Sequence, residues 1–128
     1  MTLNHAKSGF NNLNEYLCPS IPFITSSQVP VTPSFLEVPF PNVTNSIKIL
    51  NNAAPSTYLL IAFTRNGLTM GRHIRLNGGE QIDLSHRVTT IFLAGETSLC
   101  NVSVDAGCTS ILASEMPLLS GTYWPGVG

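Results

Sequence analysis

Residues 57–84, TYLLIAFTRNGLTMGRHIRLNGGEQIDL, decide the fold class of this chain. Thr57 to Thr64 is a short apolar run with Tyr58 and Phe63 inside it, the pattern of a strand covered on both faces. Asn66-Gly67 follows, a pair that tolerates the positive φ of a type I′ turn, so a hairpin is expected there. Leu68, Met70, Ile74 and Leu76 then share one parity while His73 and Arg75 take the other, which reads as a half-buried strand with Gly71 as a bulge. Asn77-Gly78-Gly79 ends it, and Ile82 and Leu84 flank Asp83 in the next strand.

The same grammar extends both ways. Upstream, Ser34 to Val38 is an edge-strand candidate, Ser46 to Leu50 places Ile47 and Ile49 opposite Lys48, and Ala54-Pro55-Ser56 makes a turn. Downstream, Val88 to Ala94 is a strand, and Cys100, Val102 and Val104 alternate. Asp105-Ala106-Gly107 reads as a turn, with Cys108 to Ala113 returning. No long 3.6-residue periodicity competes with this reading. The expected fold is all-β: a two-sheet antiparallel sandwich of about eight strands, with the jelly roll preferred. An immunoglobulin-like arrangement fits less well, because Trp124 lies after both late cysteines.

Residues 1–34 are rich in Asn, Ser, Thr and Pro and are expected to form an extended N-terminal arm, since Pro19, Pro22, Pro30 and Pro33 oppose a helix. The sandwich is assigned to residues 35–116 and a C-terminal tail to residues 117–128. After Glu15 the arm carries Phe and Ile but no charge, so it is expected to lie on protein, either its own domain or a neighbour.

Only 10% of the 128 residues are charged, against roughly 25% in ordinary soluble domains. A surface so poor in charge, with a net charge of −1, implies cover by other protein. The six Lys and Arg residues form no basic run, which argues against a nucleic-acid partner. The longest apolar stretch is far short of the roughly 20 residues that cross a bilayer, and residues 1–7 lack the apolar core of a secretory signal, so no membrane partner is expected. Cys18, Cys100 and Cys108 read as buried free thiols.

Catalysis would have to draw on His73, His86, Asp83, Asp105, Ser85, Cys100 and Cys108. Asp83-Leu84-Ser85-His86 gathers triad-type residues without a nucleophile elbow, and a strand-capping turn explains it better. His73 and His86 form no His-x-His pair, and Gly78-Gly79 precedes no Lys-Ser/Thr. The chain is therefore read as a non-enzyme without cofactor or metal.

Val38-Pro39-Phe40-Pro41 leading into Ser46-Ile47-Lys48-Ile49, then Leu76-Asn77-Gly78-Gly79-Glu80 and Ile91-Phe92-Leu93, resembles small β-sandwich structural proteins of tailed bacteriophages, of the kind that decorate or cement the head. The resemblance covers about residues 38–112 and implies a homotrimeric jelly roll, made in the host cytoplasm and bound to the major capsid protein on the virion surface. It equally admits a head fibre, penton or tail adaptor. Intersubunit contact is expected from Phe10, Tyr16, Leu17, Ile21, Phe23 and Ile24 of the arm. The alternative is a carbohydrate-binding sandwich for host attachment, which would stack sugar on Tyr123 and Trp124.

Overall fold

The computed structural model describes residues 21–115 together with Val127. Eight strands run β1 (Ile21–Val29), β2 (Leu36–Pro39), β3 (Asn42–Asn51), β4 (Leu59–Ala62), β5 (Ile74–Leu76), β6 (Gln81–Leu84), β7 (Thr90–Gly95) and β8 (Cys100–Leu112). Among the described residues a short α-helix, α1 (Arg65–Thr69), stands between β4 and β5, and a 3-10 turn (Ala113–Glu115) follows β8. Sheet 1 has the order β1-β8-β3-β6 and sheet 2 the order β2-β7-β4-β5.

All the ladders between these strands are antiparallel, and β1 meets β8, β2 meets β7, β3 meets β6 and β4 meets β5. A chain paired in this nested way is one long hairpin, and the β3–β8 and β4–β7 ladders fold it into two sheets. The protein is thus an all-β sandwich with jelly-roll connectivity.

Alternation along each strand builds the core. In sheet 1 the register aligns Phe23, Ala106, Ile47 and Leu84 in one inward row and Thr25, Val104, Ile49 and Ile82 in the next. Sheet 2 answers with Leu36, Leu93, Ile61 and Ile74, and with Leu59 opposite Leu76. Ile47, Ile49, Leu59, Ile61, Ile91 and Leu93 are fully buried where the two faces meet.

Three stretches differ from the sequence reading. Asn66-Gly67 forms no hairpin: Thr64 caps α1 by accepting a 3.0 Å hydrogen bond from the Gly67 N–H, and Leu68 buries against Leu60, Ala62 and Ala94. Gly67 is needed for close approach, since a Cβ there would lie 2.8 Å from the carbonyls of Arg72 and Val127. The following strand starts only at Ile74, and Met70 is exposed.

Asp105-Ala106-Gly107 does not turn. It is the middle of the 13-residue β8, where ladders to β1 and β3 on both sides outweigh local turn preference. Nor does the domain begin at residue 35. Residues 21–29 of the expected arm form edge strand β1, and Phe23 packs on the core with its ring 5.4 Å from that of Phe40. Pro22 is tolerated because the strand lies at an edge.

Buried polar side chains pin the register. Asn51 is fully buried on β3, donates 3.0 Å hydrogen bonds to the carbonyls of Thr57 and Leu76, and accepts one from the Ala53 N–H. It ties sheet 1 to the last residue of β5 in sheet 2. Asn51→Leu strands those groups without a partner in a dry site, and is expected to destabilise the protein by about 2–4 kcal/mol. Urea unfolding would measure this, as a lower midpoint at unchanged slope.

Candidate functional site

The two sheets present very different outer surfaces. That of sheet 2 is largely covered: Leu60, Ala62 and Ala94 point outward and are buried beneath Leu68 of α1, with Phe35 and Phe92 packed alongside. Arg65 lies over the Phe35 ring at 5.0 Å. Val127 also reaches this side, where its carbonyl accepts a 2.6 Å hydrogen bond from the Thr64 hydroxyl.

Among the described residues the outer face of sheet 1 stays exposed, and strand register writes it in rows. Ile24, Asp105, Lys48 and Asp83 cross all four strands, and Ser26, Ser103, Leu50 and Gln81 form the next row. Pro22, Gly107 and Ser46 lie on one flank, Gln28 and Asn101 on the other. Asn52 donates a 3.0 Å hydrogen bond to the Ser103 hydroxyl, which lies 3.4 Å from that of Ser26.

Because Gly107 has no side chain, the face dips into a shallow dish of about 320 Å³ bordered by Pro22, Ser46, Lys48, Asp83 and Ser85. Lys48 stands in register between two carboxylates, Asp83 and Asp105. The rest of the face is hydroxyl, amide and aliphatic.

The candidate catalytic residues are dispersed by this geometry. Asp83, Ser85 and Asp105 do meet at the dish, but neither histidine lines it. The His86 ring packs edge-on against Phe63 at 5.4 Å, and His73 Nδ1 lies 3.2 Å from the Gly67 carbonyl oxygen. Cys100 and Cys108 point inward from β8, and burial pushes both thiols up from their ordinary value of 9.0. Among the described residues, no three His, Cys, Asp or Glu side chains converge as metal ligands.

No protein-family model and no curated protein matches this chain.

Of the expected contact residues, Ile21 and Ile24 are 57% and 71% exposed on β1, whereas Phe23 belongs to the core. Phe10, Tyr16, Leu17, Tyr123 and Trp124 lie outside the described residues. Sequence reasoning found that Lys48 faces away from Ile47 and Ile49, but its meeting with Asp83 and Asp105 depends on long-range register.

The flank of sheet 2 carries an ionic staple. Arg75 on β5 donates through Nε and Nη2 to the two Glu96 carboxylate oxygens at 2.7 and 2.8 Å, and lies 3.5 Å above the Tyr58 ring. The hydrogen bond from Arg75 lowers the Glu96 carboxyl below its ordinary 4.5, and the same bond raises Arg75. A carboxyl depressed by folding stabilises above its unfolded pKa and loses that contribution as pH falls through the folded value. Glu96→Gln should therefore melt slightly below the unsubstituted protein at neutral pH, and the gap should narrow as pH falls below the ordinary carboxyl value and through the lowered Glu96 value.

The buried thiols give a second expectation. A thiol reagent should leave Cys100 and Cys108 unmodified in the folded protein and label both once urea unfolds it, as read by peptide mass mapping.

Proposed function

We propose that this chain is a structural protein of a larger assembly, a capsid decoration protein of a tailed bacteriophage that docks on the major capsid protein through the outer face of sheet 1. The observation that carries the docking reading is the chemistry of that face. Among the described residues its strands present only Lys48, Asp83 and Asp105 as charges, gathered with Ile24 in a single row, and the flanking rows are Ser, Asn, Gln, Pro, Gly and Leu.

Neutral hydroxyls and amides exchange water for partner hydrogen bonds at low cost, whereas each unpaired charge would oppose burial. The central Lys48 row supplies orientation, because its alternating signs suit only one registry with a partner. The assignment to a phage head rests on the sequence resemblance around residues 38–112, and the low overall charge agrees with a chain covered by protein.

Mechanistically, such a protein stabilises a shell by linkage. A ligand that binds only the assembled form adds about 2.7 kcal/mol per site at a hundred times its Kd, and symmetry repeats the contribution over every site.

The test is co-sedimentation of the full chain with virions of its source. The chain should pellet with the particles. Ser46→Arg and Asn101→Arg, two exposed outward positions on β3 and β8, should reduce pelleting at least about tenfold while leaving the melting temperature unchanged. A chain that stays in the supernatant, or variants that pellet as the parent does, would remove sheet 1 as the docking face.

A further inference from the structure

The four sheet edges are not alike. β6 has four residues and carries Asp83, β2 has four with Glu37 and Pro39, and β5 has three with Arg75. Short length, charge and proline are the ordinary devices that stop an edge from pairing with another chain.

β1 uses almost none of them. It has nine residues, IPFITSSQV, without one charged side chain, and Pro22 near its start is the only missing backbone donor. Ser26, Ser27 and Gln28 are exposed in succession, so side chains of both parities stand open along this edge, together with Ile21 and Ile24. Among the described residues only β8 pairs with it.

We propose that the outer edge of β1 pairs antiparallel with β1 of a second copy, joining two copies of sheet 1 into one continuous eight-stranded sheet. The occupant follows from self-complementarity. A two-fold axis sets each edge against itself, which would place like charges together on any charged strand and places none here. With the axis at Ile24, residues 21–27 pair with the same seven of the second copy, and the most exposed apolar side chain of the strand covers its own equivalent.

The contact lies at the rim of the outer face of sheet 1 and, of the Lys48 row, covers Ile24 alone, leaving Asp105, Lys48 and Asp83 on the inner strands, so it holds whether or not a capsid is the partner.

Sedimentation velocity of the full chain at about 100 μM, above the micromolar Kd expected of a small strand-to-strand contact, decides the oligomer. A dimer is expected. Ile24→Lys, whose new ammonium would face its own equivalent, should sediment as a monomer with an unchanged melting temperature. In a Cys18→Ser background, Ile24→Cys should oxidise to a covalent dimer, because directly opposed strand residues lie within disulfide reach. A monomer for the parent chain, or a dimer or trimer that Ile24→Lys leaves intact, would overturn the proposal. So would an Ile24→Cys protein that stays uncrosslinked under the same oxidant.

Discussion

The structure depends on β8 holding two ladders at once. Its 13 residues pair with β1 from Cys100 to Cys108 on one side and with β3 from Val102 to Leu112 on the other. Along it Cys100, Val102, Val104, Ala106 and Cys108 point to the core and Asn101, Ser103, Asp105 and Gly107 to the surface. Because side chains repeat every two residues, a slip of one position would exchange these sets and bury Asp105. The register of sheet 1 is therefore strongly specified, and every row of its outer face inherits that specification.

What stood legible in the sequence was alternation, and what did not was pairing. Ser46-Ile47-Lys48-Ile49 and Gln81-Ile82-Asp83-Leu84 show their faces locally, and both strands occur with those faces inward and outward. Asp105-Ala106-Gly107 has the composition of a turn, and only the presence of a partner on each flank keeps it extended, information held some 60 to 80 residues away in β3 and β1. Asn66-Gly67 failed for a different reason: Thr64 offers a helix cap three residues before Gly67, and the apolar roof over Leu60 and Ala94 rewards a helix that brings Leu68 down. β1 was hidden because an edge strand buries little, so Thr, Ser and Gln serve as well as Val. The Lys48 row was legible one residue at a time, never as a row.

Buried polar groups supply the specificity that an aliphatic sandwich lacks. Thr44 sits at the β3 irregularity, where its hydroxyl lies 2.9 Å from the His86 carbonyl and 3.1 Å from that of Val88, and accepts from the Val88 N–H at 3.2 Å. Thr109, on β8 beside the same irregularity, donates to the Val43 carbonyl at 2.8 Å. Asn51 performs the equivalent task at the far end of β3. Since every buried side-chain nitrogen and oxygen among the described residues has a partner, sliding β3 against its neighbours would strand several at once. Leu, Ile and Val hold the sheets together without distinguishing one register from the next; these three side chains make the distinction.

The asymmetry between the two outer faces then follows from where the chain spends its insertions. Between β4 and β5 it places α1, and ahead of β2 it places Phe35, so the apolar outward residues of sheet 2 are closed over. Among the described residues sheet 1 receives no such cover, and its outward positions are polar with few charges. A surface shaped only for water would tolerate Lys and Glu at the exposed positions of β1, β3 and β8, as ordinary antiparallel sheets do. Their scarcity over the described part of this face and along its longest edge, in a chain that places Glu37 and Arg75 on the short edges of the other sheet, is the asymmetry on which the proposed docking face and the proposed edge pairing both rest.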